Sequence, residues 1–297
     1  MENTVDLREE IVRLSDKTKF SSKLLEKDYH LTRILHKISE KKIKDLVFKG
    51  GTCLNKCYLG FYRLSEDLDF VLNKNVKDLS KMQIKKILGG LRHELFEILN
   101  ELGFKTNKEL GKGWKMLTSE EEPRIIGLEA IANYSSLIDD SLQVIKLEIS
   151  FRKRLIKPTM MKVIHHEFID ALGQPILKKD AEIEAIDLSE NFAEKFRALV
   201  TRKNIAIRDI YDIYFIMKKN IVKMDKGIIE LILIKINESK MFTKEDLIKF
   251  ISDLNSKLSD LNEKEISSVL KSSENVNAGE MVKLITHSFQ DIRGFSS

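Results

Sequence analysis

Proline, cysteine and long apolar runs are scarce in this sequence, and each scarcity excludes a class of protein. With 3 prolines beside 42% hydrophobic and 33% charged residues, the composition indicates a helix-rich globular protein instead of a disordered one. No apolar run approaches the roughly 20 residues that a membrane-spanning helix needs. The first residues lack the charged and then apolar pattern of a signal peptide, so we expect a cytoplasmic protein with no membrane partner.

Only two cysteines occur, Cys53 and Cys57, four positions apart in a predicted helix. A disulfide would need a different geometry, and a zinc site would need more ligands. Both residues are therefore interpreted as buried thiols.

The chain of 297 residues is long enough for two domains of ordinary size. Its formal charge of +5, from 51 basic and 46 acidic residues, is compatible with an RNA or nucleotide partner without requiring one. Local clusters of residues must therefore indicate the partner.

Apolar periodicity changes along the chain. Helical spacing in 6–40 and 79–102 alternates with short strand-like runs at 46–48, in SEDLDFVLN, in RIIGLEAIANY and in LQVIKLEIS, whereas the pattern after residue 158 is mainly helical. We predict an α+β fold: a domain at 1–157 that holds a mixed sheet and N-terminal helices, and a mainly helical domain at 158–297 that completes the active cleft.

A Gly-Gly turn joins the first predicted strand to a helix. Gly50 and Gly51 let the backbone approach a ligand closely, and the N–H groups at the start of a helix behind them suit a phosphate. Thr52 follows them as a candidate helix cap. Strand-to-helix turns also use glycine for steric reasons alone, and that alternative is equally open.

Three carboxylates lie on the polar faces of two predicted strands. Strand alternation places Asp67 and Asp69 on one face, and Glu148 on the polar face of a later strand. Neighbouring carboxylates repel unless a cation lies between them, and hard oxygen ligands suit Mg²⁺ or Mn²⁺. The alternative for the aspartate pair is a solvent-facing edge strand.

A basic run follows the strand that carries Glu148. Arg152, Lys153, Arg154 and Lys157 fit a patch that follows a nucleic-acid backbone, and they fit a solvated strand end equally well. The segment HHEFID, at 165–170, lacks the second histidine at i+4 that a zinc-protease helix requires.

Two helices of the second half bring charge onto their apolar stripes. Lys195 shares a face with Phe192, Phe196 and Leu199, and Asp209 and Asp212 do the same in the next helix. A lysine that extends its ammonium to water and a surface Arg208–Asp212 ion pair are the simpler explanations. Because unpaired buried charge is costly, we interpret the two helices as one wall of an active cleft.

The motifs KGGTCLNK…FYRLSEDLDF and AEKFRALVTRKNIAIRDIYDIYFI resemble those of the AbiEii/AbiGii family, the MenT-like nucleotidyltransferase toxins of type IV toxin–antitoxin systems. The resemblance implies a DNA polymerase β-like core, an NTP substrate, Mg²⁺ or Mn²⁺, and a cognate antitoxin. Some relatives add nucleotides to tRNA 3′ ends.

On the family's pattern, the residues carried over are as follows. Asp67 and Asp69 hold the metal, and Lys195 binds the NTP phosphates. The polar face of the later strand adds Glu148 as a third metal ligand. Asp212 is favoured as the catalytic carboxylate, with Asp209 as the fallback. The remaining nucleotide-binding residues are Gly50, Gly51, Thr52, Arg63 and Ser65. The alternatives are an ordinary turn arginine for Arg63 and a turn-capping hydroxyl for Ser65.

The sequence therefore predicts a Mg²⁺-dependent nucleotidyltransferase toxin that transfers NMP from an NTP to an RNA acceptor such as the tRNA 3′ end. Transfer to a protein or a small molecule is one alternative. A non-catalytic nucleotide- or RNA-binding regulator is the other.

Overall fold

The chain forms two compact units, Met1–Ile186 and Asp187–Ser297. The computed structural model describes residues 6–74, 79–118, 125–151, 155–239, 241–260, 270–271 and 277–290. Within these ranges, no helix has both the length and the apolar character needed to cross a membrane.

Two helices open the first unit, α1 (Leu7–Thr18) and α2 (Ser22–Lys41). The side chains of Asp6 and Ser21 accept backbone N–H groups in the first turns of these helices, which explains where each begins. The apolar stripe predicted for α2 faces inward, since Leu31, Ile34 and Leu35 are fully buried. The stripe supplies one side of the core.

A seven-stranded mixed sheet forms the centre of the first unit, in the order β3-β4-β5-β2-β1-β7-β6. Strand β2 pairs antiparallel with β1 and parallel with β5, while β1 pairs parallel with β7. The predicted mixed-sheet α+β core is confirmed. The strands are β1 (Leu46–Lys49), β2 (Asp67–Leu72), β3 (Trp114–Thr118), β4 (Ile125–Ser135), β5 (Leu142–Ser150), β6 (Met160–Val163) and β7 (Glu182–Ala185).

One face of this sheet is apolar and packs against helices. Phe48, Phe70 and Leu147 are fully buried. They belong to one core cluster with residues of α2 and of α4 (Lys81–Glu101), the long helix that follows the short helix α3 (Gly50–Cys53) in the chain. Side chains alternate across a strand, so the polar residues between these positions share the opposite face. The acidic residues of β2 and β5 lie on that polar face.

Strands β3, β6 and β7 were not predicted from the sequence. They have only four or five residues, and β3 and β6 form the two edges of the sheet, so little alternation marks them. Although β6 and β7 follow the predicted boundary after residue 157, β7 pairs with β1 and β6 with β7. The compact units divide after Ile186; the role of 158–297 as a functional domain stays a prediction.

The second unit is helical throughout its described part. Phe192 and Phe196 of its first helix meet edge to face, and Phe196 also contacts Phe289, with 5.5 Å between the ring centroids. These aromatic contacts join the first and last helices around one core. The helices are α5 (Leu188–Thr201), α6 (Ile207–Lys218), α7 (Lys226–Asn237), α8 (Lys244–Ser252) and α9 (Ala278–Gln290), with a 3₁₀ segment at Asp253–Asp260.

Candidate functional site

The Gly-Gly turn lies directly against the side chains that the sequence singles out. Gly50 has φ +80°, and a Cβ atom there would overlap the Asp69 carboxylate. A Cβ atom on Gly51 would lie 2.6 Å from Nη2 of Arg63 and 3.3 Å from Oγ of Ser65. Only glycine leaves room for this approach. The structure therefore brings together Gly50, Gly51, Arg63, Ser65 and Asp69.

The acidic strand β2 occupies the middle of the sheet, with three strands on either side. The interpretation of Asp67 and Asp69 as residues of a solvent-facing edge strand is therefore wrong. Solubility alone does not explain two carboxylates on one face of a central strand, because the neighbouring strands hold those side chains close to other groups.

Strand register extends this acidic face across the sheet. Asp69 is the partner of Lys49 on β1 and of Glu148 on β5, and Glu148 is in turn the partner of Glu129 on β4. Partners in register point to the same face. The structure therefore places Glu148 beside Asp69, as the polar-face pattern suggested. It also adds Glu129, which the sequence reasoning did not single out, although RIIGLEAIANY puts that glutamate on a polar strand position.

Lys146 provides positive charge within this acidic face. It is the register partner of Asp67, and its Nζ lies 2.8 Å from Oε2 of Glu129 and 3.4 Å from Oε2 of Glu148. Partial burial lowers the pKa of Lys146, but the hydrogen bond to Glu129 and the charges of both glutamates outweigh burial, so the net pKa is raised. Lys146 therefore stays protonated and offsets part of the negative charge.

Thr52 and Arg63 are buried residues, and each takes part in a hydrogen bond near the glycine turn. Thr52 is buried and lies inside the short helix Gly50–Cys53 instead of capping it; its hydroxyl donates to the backbone carbonyl of Asp67. Arg63 is buried as well, and its carbonyl accepts a hydrogen bond from the amide of Asn55. The Thr52 bond fixes the turn against β2, and the Asn55 bond holds the segment before β2 to the helical segment after the turn.

Asn55 belongs to a π-helix, Leu54–Leu59, that follows the glycine turn. Such segments are rare and often accompany functional sites. The next residue, Lys56, is fully buried, and its Nζ lies 2.6 Å from Oδ2 of Asp28. Burial raises the pKa of Asp28, and the charge of Lys56 acts in the opposite direction. The buried pair anchors the π-helix to α2.

Cys53 and Cys57 are free, buried thiols, as predicted. Burial raises the pKa of Cys53 well above its ordinary value, and the neighbouring Cys57 adds to the effect. The Cys53 thiol is therefore not suited to nucleophilic chemistry. Both side chains belong to the hydrophobic core cluster of the first unit.

The carboxylates suit a metal site that substrate phosphates and water complete better than one built from protein side chains alone. Among the residues that the structure describes, no three His, Cys, Asp or Glu side chains are grouped so as to hold a metal ion by themselves. Magnesium is commonly held by only one or two carboxylates together with substrate phosphates and water. Asp67 and Asp69 fit that arrangement, whereas Glu148 shares its carboxylate with Lys146. A role for Glu148 as third ligand stays a prediction.

The second unit gathers the other predicted residues. Nζ of Lys195 on α5 lies 3.0 Å from Oδ1 of Asp209 and 2.7 Å from Oδ2 of Asp212, both on α6. The Asp212 side chain is fully buried, and Asp209 also pairs with Arg202. Two cations thus balance two carboxylates. Lys195 does not simply extend into water, because its side chain is only 11% exposed.

A second buried lysine in this unit was not predicted from the sequence. Lys235 on α7 places its Nζ 2.5 Å from Oε1 of Glu190 and 3.2 Å from Oε1 of Glu194, and its side chain is almost fully buried. Because Glu190 and Glu194 lie on α5, these two ion pairs join α7 to the helix that carries Lys195. Its contacts are structural.

The basic run after β5 lies only partly within the described residues. Arg152, Lys153 and Arg154 lie outside the described residues, and Lys157 is exposed. The predicted nucleic-acid patch therefore stays a prediction.

Residues 33–278 match the family model of the AbiEii nucleotidyl transferase toxin of type IV toxin–antitoxin systems. A comparison with proteins of curated function returns no significant match. Among solved structures, the nucleotidyltransferase toxin MenT4 of Mycobacterium tuberculosis is similar in fold, with a TM-score of 0.56 and 17% identity over 95% of this chain and 88% of that one. JHP933 of Helicobacter pylori gives a TM-score of 0.52 and 17% identity over 93% of this chain and 94% of that one.

At such low identities the likeness to solved structures shows the fold alone, whereas the family model spans most of the chain. The glycine turn and the acidic strand lie within the matched region. The chain therefore belongs to the AbiEii family of nucleotidyltransferase toxins, and membership implies an NTP as substrate and an antitoxin as partner.

Proposed function

We propose that this toxin is a Mg²⁺-dependent enzyme of the cytoplasm that transfers a nucleoside monophosphate from an NTP to an RNA acceptor such as the 3′ end of tRNA. The observation that carries the proposal is the contact between the Gly50–Gly51 turn and the acidic face of β2. A phosphate chain and a cation need these two features side by side.

In the proposed reaction, a hydroxyl of the acceptor attacks the α-phosphorus of the NTP. The new O–Pα bond forms as the bond from Pα to the bridging oxygen breaks. The hydroxyl proton passes to solvent water, and pyrophosphate leaves with the bridging oxygen. A divalent cation bound to such a site neutralises phosphate charge and lowers the pKa of the attacking hydroxyl. In this scheme Asp67 and Asp69 hold the cation, and the Gly50–Gly51 turn, Arg63 and Ser65 orient the triphosphate.

Lys195 is proposed to bind NTP phosphates, as the family resemblance implies. Its two carboxylate partners fix the position of the ammonium before substrate arrives. Asp212 is enclosed and bonded to Lys195, so we assign it a positioning role in place of proton abstraction. Asp209 supports Lys195 from its other side.

The proposed acceptor is an RNA. The net charge of +5 favours an anionic acceptor, and the family resemblance implies tRNA. Transfer to a protein remains the second candidate, and enzymatic digestion of the labelled product distinguishes the two.

The test is incorporation of each α-labelled NTP into total tRNA with Mg²⁺, followed by digestion with RNase or protease. Asp69→Asn removes one metal-binding charge, while Asp180→Asn makes the same change at an exposed loop residue. Label that is sensitive to RNase, lost in Asp69→Asn and retained in Asp180→Asn, is the expected result. Protease-sensitive label would replace RNA by protein as acceptor. Absence of any label with folded protein and all four NTPs would refute the proposal.

A further inference from the structure

Lys146 is a cation placed between carboxylates on the polar face of the sheet. Its register partner is Asp67, and its ammonium contacts Glu129 and Glu148. The row through Asp69, Glu148 and Glu129 thus lies beside a lysine. The chain supplies here the kind of charge that a bound metal ion would supply.

The geometry lets Lys146 hold more than one carboxylate. Its Nζ lies 2.8 Å from Oε2 of Glu129 and 3.4 Å from Oε2 of Glu148, distances that correspond to a strong and a weaker ion pair. The Lys146 side chain is 40% exposed, so it has room to move. A carboxylate held weakly by a mobile ammonium can change partners.

Charge balance makes the lysine and a divalent cation competitors. Asp67, Asp69, Glu129 and Glu148 carry four negative charges on adjoining strands. Lys146 lies among them, while Lys49 is opposite Asp69 and Lys115 is opposite Glu129. Like charges this close raise the free energy of the metal-free face, and any cation that binds there lowers it. A fixed positive charge therefore reduces the affinity of the face for a second cation.

We infer that Lys146 is a built-in counter-ion that pairs with the carboxylates of β4 and β5 beside Asp67 of β2, competes there with the divalent cation, and so sets the metal affinity of the site. The inference rests on the proposed function in one respect, that a divalent cation binds at Asp67 and Asp69. It concerns the binding equilibrium and is independent of the acceptor.

The simpler alternative is that Lys146 forms an ordinary surface ion pair. Such pairs contribute little, and removing one would leave cation binding unchanged. Lys115 provides the matched comparison, because it is an exposed lysine opposite Glu129 at the far end of the same row. If Lys146 has a specific role, only its replacement changes the affinity for the cation. A general effect of surface charge would change that affinity equally for both lysines.

The experiment is titration of Mn²⁺ into the full-length protein without NTP, with free Mn²⁺ measured by electron paramagnetic resonance. The proteins are the wild type, Lys146→Gln, Lys146→Arg and Lys115→Gln, each checked for its melting temperature. We expect Lys146→Gln to bind Mn²⁺ about three- to tenfold more tightly, because one competing charge is gone from a partly screened site. Lys146→Arg and Lys115→Gln should stay within about twofold of the wild type.

Unchanged or weaker Mn²⁺ binding by folded Lys146→Gln would overturn the inference. So would an equal gain in Lys115→Gln, or no measurable Mn²⁺ binding by any of the four proteins. If Lys146→Gln does not fold, Lys146→Met decides: it removes the same positive charge, so Mn²⁺ should bind more tightly than in the wild type, and unchanged or weaker binding contradicts the inference.

Failure here is distinguishable from failure of the proposed function. A wild-type protein that transfers nucleotide while Lys146→Gln shows no shift in Mn²⁺ affinity would refute the counter-ion alone. A shift in affinity without nucleotide transfer to any acceptor would refute the proposed reaction and leave the counter-ion in place.

Discussion

Lys195 on α5 and Asp212 on α6 form a buried ion pair, with 2.7 Å between Nζ and Oδ2 and a fully buried aspartate side chain. Asp209 contacts the same ammonium at 3.0 Å. Taking these groups out of water costs free energy that only close pairing offsets. Asp212 therefore acts by fixing the position of the Lys195 ammonium.

Removing Asp212 should destabilise the protein. Asp212→Ala removes one of the two carboxylates that contact the buried Lys195, and loss of one partner from a buried pair should cost about 3 kcal/mol of unfolding free energy. Urea denaturation of Asp212→Ala, Lys195→Met and the double variant measures this. The double variant should lose less than the two single changes added together, since it leaves no unpaired charge. Additive losses would show that the residues do not interact.

Gly50→Ala should reduce activity through a clash with Asp69. The change adds a Cβ atom where the Asp69 carboxylate lies, at a backbone φ of +80°. Gly60→Ala is the control, because Gly60 also has a positive φ, +68°, but open space around its Cβ position. Both changes should cost about 1–3 kcal/mol of stability through backbone strain.

Only Gly50→Ala should then reduce nucleotide transfer per folded molecule, by about 100-fold, since misplacing a catalytic group by about 1 Å can have that effect. Equal activity of the two folded variants would mean that Asp69 is not needed at its present position.

Thr52 should act through its hydroxyl on the backbone of β2. The hydroxyl donates to the carbonyl of Asp67, and the side chain is buried. Thr52→Ser keeps the donor and should retain most activity. Thr52→Val keeps the shape but leaves that carbonyl without this donor, so unfolding free energy should fall by about 1–2 kcal/mol and transfer should fall with it. If Thr52→Val matches Thr52→Ser in both measurements, the hydrogen bond has no role in placing the turn.

The sequence predicts the local parts of this site and misses the parts that depend on strand pairing. Alternation along β2 predicts that Asp67 and Asp69 share a face, because a strand's period is a local property. Glu129 lies beside Glu148 only because β4 and β5 pair in one register, and no local signal encodes that pairing. The placement of Lys146 between carboxylates of different strands is non-local in the same way.

The short strands show the same limit. β7, with the sequence EIEA, has a pattern too brief to distinguish from a loop, and its pairing with β1 extends the sheet beyond the predicted boundary. In the helical unit, spacing predicts charge on the inner faces of α5 and α6. It does not reveal that Lys195 meets both Asp209 and Asp212, because the crossing of two helices depends on the whole core.

Acidification should destabilise the first unit through two buried histidines. Burial lowers the pKa of His30 to about 4, with a further effect from Arg33. Burial likewise lowers the pKa of His36 to about 4, aided by the charges of His166 and Lys56. Unfolded histidine titrates near its ordinary pKa of about 6.5. The stabilisation is therefore complete above pH 6.5 and is lost as the pH falls from there towards 4.

Each histidine should contribute a loss of about 1–2 kcal/mol of unfolding free energy between pH 7 and pH 5, because the unfolded chain binds protons that the folded one excludes. Burial raises the pKa of Asp28, which acts in the opposite direction, so the comparison must be between variants. Urea denaturation across this range should show a steeper fall for the wild type than for the double variant His30→Gln/His36→Gln. His93→Gln, at an exposed position on α4, should follow the wild type. Parallel pH profiles for all three proteins would mean that the buried histidines do not remain neutral in the fold.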